Sequence, residues 1–114
     1  MPSDPKLVER VRRVLDGEPG VGERRMFGGV CFTLHGNMAC GVQRDELVVR
    51  VGPEAHADAL RDPFARPMDF TGRPMKGYVY VAAAGCGDLR STRRWVTRGV
   101  RFARSLPRKR GRHT

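Results

Sequence analysis

The stretch MFGGVCFTLHGNMACGVQRDELVVRV, Met26 to Val51, decides the fold. Its apolar residues alternate and are interrupted at Gly36-Asn37 and Arg44-Asp45, both short-turn chemistry, so the segment reads as a three-stranded antiparallel meander. With two-residue loops, Cys31, Thr33, His35, Met38, Cys40, Val42, Leu47, Val49 and Val51 share one face, because side chains alternate along a strand. Val30, Phe32, Leu34, Ala39, Val48 and Arg50 share the other. The first face is the expected core. The second is apolar enough to need a cover, from a neighbouring element or a second copy of the chain.

The flanks supply the rest of the layer. Upstream, Asp4 is placed to cap a helix that has Pro5 at its first position, an apolar stripe at Leu7, Val8, Val11, Val14 and Leu15, and Gly17 beyond its end. EPGVGERR, residues 18–25, reads as a Gly/Pro connector. Downstream, Gly52-Pro53 opens a short helix, PEAHADAL, that stops before Asp62-Pro63. Met68–Phe70 and Lys76–Val81 form a hairpin through Thr71, Gly72, Arg73 and Pro74. Asp88 caps a terminal helix whose stripe is Leu89, Val96, Val100 and Ala103, flanked by Trp95, Phe102 and Leu106, and Pro107 ends it. The expected order is α-β(3)-α-β(2)-α, an α+β class with helices on an antiparallel sheet. At 114 residues this is one domain, residues 1–107, followed by a basic tail, 108–114, of disordered composition.

Charge is distributed unevenly. Residues 1–87 carry 12 basic and 11 acidic side chains, whereas residues 88–114 carry 10 and 1. On the terminal helix Arg90, Arg94, Arg98 and Arg101 run along one side, with Arg93 and Arg104 beside them and no acid on that helix to pair with. Arg108, Lys109, Arg110 and Arg112 extend the row into the tail. Like charges at i, i+4 cost about 0.2–0.5 kcal/mol per pair, and the helix dipole compensates only near the C-terminus. The pattern reads either as a solvated basic face in an arginine-rich composition or as a phosphate-tracking surface for nucleic acid. With no base-reading motif, binding would be without sequence readout.

Catalysis and metal binding have thin support. Cys31, His35 and Cys40 are zinc-ligand types, but their spacing fits no common zinc motif and a fourth ligand must come from Cys86 or His56. Cys31 and His35 are separated by roughly 13 Å along a strand, too far for a nucleophile and its base, and the cysteines are better read as small core hydrophobes. His56 and His113 read as solvated. No glycine-rich nucleotide motif is present, so no cofactor and no small-molecule substrate are expected. The polar start, the lack of a long apolar run and three cysteines without CxxC spacing point to a cytoplasmic protein that does not enter a membrane.

Taken together, RRMFGGVCF (Arg24–Phe32), HGNMACGV (His35–Val42), ELVVRVGP (Glu46–Pro53), GRPMKGYVYV (Gly72–Val81) and WVTRGVRFARSLP (Trp95–Pro107) resemble the N-terminal domain of the TfoX/Sxy family. The resemblance implies the α-β(3)-α-β(2)-α fold, in the secretion-chaperone-like architecture, and a non-enzymatic role, since family members named for natural competence are transcriptional coactivators that append a second helical domain. Its signature here is Arg24, Arg25, Met26, Phe27, Gly28 and Gly29. As architecture, the glycines permit close backbone approach, Met26 and Phe27 anchor a core corner, and Arg24 and Arg25 flank it. The expected partners are nucleic acid or a protein of the transcription machinery, with homodimerisation through Val30, Phe32 and Leu34 as the alternative.

Overall fold

A computed structural model describes residues 3–26, 28–69 and 75–108. Helix α1 (Pro5–Leu15) starts where Asp4 accepts the Lys6 backbone N–H at 3.0 Å, and it buries Leu7, Val8, Val11 and Leu15. The strands follow: β1 (Val21–Met26), β2 (Gly29–Leu34), β3 (Asn37–Gln43) and β4 (Glu46–Arg50). Helix α2 (His56–Ala59), strands β5 (Ala65–Pro67) and β6 (Tyr78–Val81), a short 3-10 turn (Ala83–Gly85) and helix α3 (Leu89–Ser105) complete the order. The six strands form one antiparallel sheet in the order β1-β2-β3-β4-β6-β5, with α1 and α3 packed on one face. The α+β class and the helix-strands-helix order hold.

One strand is additional. The segment read as a connector forms edge strand β1, paired with β2 along its length from Val21↔Leu34 to Met26↔Gly29. Charges on both faces, Glu23 and Arg25 on one and Arg24 on the other, erase the alternation that marks a strand, and such charges are how exposed edges resist pairing with other chains. Glu23 ties this edge to α1, accepting from Arg12 Nε at 3.0 Å.

The core face differs from the expected one. The β2–β3 loop is His35-Gly36, with φ of 49° and 85° as a type I′ hairpin requires, one residue before the expected turn. The register then slips: Phe32 faces Cys40 but Thr33 faces Met38, leaving Ala39 as the unmatched residue of a β-bulge. One extra residue exchanges the faces of everything beyond it. Val30, Phe32 and Leu34 therefore join Cys40, Val42, Leu47 and Val49 under the helices, with β6 adding Val79 and Val81. Cys31, Thr33 and Met38 turn outward to share the opposite face with Val48. His35 lies in the turn, packed against Gly20.

Helix α3 closes the core with Trp95, Val96, Val100 and Ala103, all as expected, plus Thr92 and Gly99. The Thr92 hydroxyl lies 2.7 Å from the Asp88 carbonyl and 3.1 Å from that of Cys86, and Arg10 of α1 donates to Thr92 Oγ1 at 3.3 Å and to the Cys86 carbonyl at 2.8 Å. This polar junction fixes α1 against the start of α3. At Gly99 the helix sits directly on the bulge, where a Cβ would stand only 2.2 Å from the Ala39 carbonyl oxygen. Asn37 donates to the Pro107 carbonyl at 2.8 Å and anchors the far end. The expected strand end at Phe70 and turn through Pro74 lie outside the described residues, as do Phe27 and Lys109 to Thr114.

Two outcomes test this packing. Gly99→Ala forces α3 off the bulge and lowers stability by about 1–3 kcal/mol, a fall in Tm of roughly 5–20 °C for a domain of this size, read by thermal circular dichroism. The Asp88 carboxylate accepts the Ser91 N–H at 2.8 Å and the Ser91 hydroxyl at 2.7 Å, and these bonds hold its pKa below the ordinary carboxylate value. Its stabilisation is therefore complete above that ordinary value and is lost as pH falls through the lower, folded one. Asp88→Ala lowers Tm at neutral pH, whereas Asp88→Asn keeps a capping acceptor, preserves Tm and flattens the acid limb of the stability profile.

Candidate nucleic-acid interface

Because α3 buries one stripe, its arginines project from the opposite side. Arg90, Arg93, Arg94 and Arg101 are exposed and Arg98 is half-buried. They border an open groove of about 920 Å³ between α3 and the segment that carries α2 into β5. The far wall contributes acids. Arg94 pairs with Asp62 at 3.0 Å and Arg98 with Asp58 at 3.2 Å, and Arg104 pairs with Glu18. The basic row is thus less isolated than the sequence suggests: three arginines find carboxylates on other elements. Arg90, Arg93 and Arg101 form no ion pair among the described residues, although Arg90 lies within electrostatic reach of Asp88.

The groove floor is aromatic but closed. Trp95 is 1 % exposed, with the Arg98 guanidinium 5.0 Å and that of Arg94 6.0 Å from its ring, so it serves as a cation–π platform and offers no face for base stacking. Trp95 Nε1 and His56 Nε2 are both buried without a hydrogen-bond partner among the described residues, so His56 is not the solvated side chain expected of it. Arg108 is exposed beyond α3, and Lys109, Arg110 and Arg112 lie outside the described residues.

The family-signature residues shape the other side of the molecule. Met26 pairs with Gly29 across the β1–β2 connection, in which Gly28 has φ of 75°. A Cβ on Gly29 would stand 2.5 Å from the Val42 carbonyl oxygen, which restricts that site to glycine. Met26 does not anchor the core; it is 39 % exposed on the outer face. Arg24 and Arg25 are exposed on opposite faces of the edge strand.

The bulge also separates the thiols. Cys40 lies in the core and Cys31, which the sequence assigns to the same face, is half-buried on the outer one, so Cys31, His35 and Cys40 do not converge. Among the described residues no three His, Cys, Asp or Glu side chains are grouped to hold a metal. Burial raises the Cys31 thiol pKa, opposed by Arg24, and burial raises those of Cys40 and Cys86. Sequence reasoning missed one feature entirely. Met26, Met38, Met68 and Met75 line a groove of about 300 Å³ on the uncovered face of the sheet, and no periodicity joins them in the sequence.

A family model described as the TfoX N-terminal domain matches residues 13–103. No curated protein and no solved structure matches the chain. The matched span includes the α3 arginines up to Arg101 and stops before Arg104 and the tail.

Iodoacetamide labelling followed by mass spectrometry tests the thiol environment. In the folded protein at neutral pH, Cys31 reacts more slowly than free cysteine, and Cys40 and Cys86 react only on unfolding. Labelling of Cys31 faster than free cysteine would reveal an activated thiol instead.

Proposed function

The chain belongs to the TfoX N-terminal domain family. On that premise we propose that it is a non-enzymatic, cytoplasmic accessory module of transcription regulation whose α3 face holds the phosphate backbone of a nucleic acid. The observation that carries the proposal is the α3 groove, where Arg90, Arg93 and Arg101 form no ion pair among the described residues. Arg90 to Arg101 spans roughly 16 Å at about 1.5 Å per residue, a length that tracks several phosphates of one strand.

The ion pairs on the same face temper the binding without preventing it. Arg94 is 69 % exposed in its pair with Asp62, and exposed pairs contribute only about 0–1 kcal/mol, so its guanidinium can transfer to a phosphate at little cost. Asp58 and Asp62 repel the same phosphates. The balance is a weak, salt-sensitive contact, and sequence selection falls to a partner. Among the described residues no helix is long and apolar enough to cross a membrane. The alternative reading, dimerisation through Val30, Phe32 and Leu34, loses its surface because all three are buried, at 8 %, 1 % and 1 % exposure. A protein-interaction role keeps support from the opposite, methionine-lined face.

A mixed-sequence DNA duplex titrated across a salt series checks the proposal. Wild-type protein binds with a steep salt slope. Arg90→Ala/Arg93→Ala/Arg101→Ala reduces the magnitude of the slope by about 2–3, at roughly 0.9 per phosphate contact, and deletion of residues 108–114 reduces it further. Asp58→Asn/Asp62→Asn strengthens binding. No binding at low salt would remove the nucleic-acid role.

A further inference from the structure

The uncovered face of the sheet carries a feature that the α3 reading does not use. The sequence has five methionines, and all but Met1 line the one groove there, together with Cys31, Val48 and Tyr78. Gly41, registered between Cys31 and Val48, leaves the floor without a side chain, and the Met38 methyl group lies 3.7 Å from where its Cβ would be. Val48 points away from both helices and is 4 % exposed where it lines this groove. Met26 and Met75 are themselves 39 % and 36 % exposed. Unbranched thioether side chains of this kind repack around varied apolar shapes, which suits a docking surface better than a core.

The rim identifies the occupant. Arg24 flanks Cys31 across the β1–β2 pair and Lys76 follows Met75, while Arg50 at the end of β4 lies 5.5 Å from the Tyr78 ring centroid and 5.1 Å from that of Phe102 on α3. None of the three has an acidic partner among the described residues. Asp69 is the opposing charge beside Met68, while Glu46 is engaged by Arg66, whose Nη2 donates to it at 2.8 Å. An apolar floor inside a basic rim complements an amphipathic segment with apolar anchors and acidic flanks. A second copy fits poorly, since a two-fold interface sets the same basic rim against itself. Among the described residues Tyr78 is the only aromatic lining the floor, too little for base stacking by a nucleic acid. We propose that the methionine-lined groove of the β2–β3–β4–β6 face is a docking site for an acidic amphipathic peptide segment of a partner protein, independent of the α3 surface.

Methionine methyl groups report the site directly. Full-length protein labelled with methyl-¹³C methionine is titrated with a synthetic peptide that has Leu anchors at helical spacing and Glu elsewhere. The methyl signals of Met26, Met38, Met68 and Met75 shift saturably and that of Met1 does not. Met26→Glu/Met75→Glu, at exposed positions that leave the core intact, weakens binding at least tenfold, and Arg24→Glu/Lys76→Glu weakens it with a loss that shrinks as salt rises. Arg90→Ala/Arg93→Ala/Arg101→Ala leaves it unchanged, so failure of the nucleic-acid reading and failure of this one are separable. Absence of shifts at millimolar peptide overturns the proposal without recourse to variants. Equal binding of a peptide with Lys in place of Glu also overturns it, as does movement of the same methyls on self-association or on addition of DNA.

Discussion

The β-bulge at Ala39 is the constraint on which the rest of this structure depends. Without an extra residue between Phe32↔Cys40 and Thr33↔Met38, the apolar sets of β2 and of β3–β4 would lie on opposite faces, and neither face would be apolar enough to hold two helices. With it, Val30, Phe32 and Leu34 join Cys40, Val42, Leu47 and Val49 in one layer. The same irregularity brings the Ala39 carbonyl out toward α3, and the helix answers with Gly99 at the point of contact. A bulge and a helix glycine, 60 residues apart in sequence, are thus two halves of one packing solution.

Helix α3 carries two demands that conflict in principle. It must bury Trp95, Val96, Val100 and Ala103, which fixes its rotation, and once rotated it exposes a row of guanidinium groups that repel one another. The fold relieves part of that repulsion from outside the helix. Asp62, Asp58 and Glu18 reach Arg94, Arg98 and Arg104, and the buried indole of Trp95 lies under two of the same arginines. Relief is uneven: Arg93 and Arg101 form no ion pair among the described residues and Arg90 has only the more distant attraction of Asp88, and that unbalanced charge is what a polyanion would meet.

What the sequence made legible was the periodic part. Helices α1 and α3, their Asp4 and Asp88 caps, and the β2–β3–β4 meander all follow from spacing and end signals that act over a few residues. The remainder depends on interactions with no local mark. A bulge is a change of register, and the residue that makes it, Ala39, looks like any other member of the strand. Strand β1 is charged on both faces because it is an edge, so the protection hides the period. The acids that pair with the α3 arginines lie 32, 40 and 86 residues away. Methionines 26, 38, 68 and 75 come together only because the bulge turned Met38 outward and the β5–β6 hairpin brought Met68 and Met75 across the sheet.

The two surfaces, one on each side of the sheet, share a sign of charge but differ in what holds a ligand once it arrives. A net charge of +10 draws any anion toward the molecule, so phosphates and acidic peptides are steered alike at low ionic strength. At the α3 groove the attraction is almost all there is, because Trp95 is closed and nearby carboxylates compete. At the methionine groove the charged rim only guides, and apolar burial on Met26, Met38 and Met75 remains after the Debye length has shrunk to about 8 Å at physiological salt. On the proposed reading, rising ionic strength would therefore separate the two faces, weakening the arginine face first and leaving the sheet face as the more persistent contact. An accessory protein built this way would hold its protein partner by shape and touch nucleic acid only where that partner has already concentrated it.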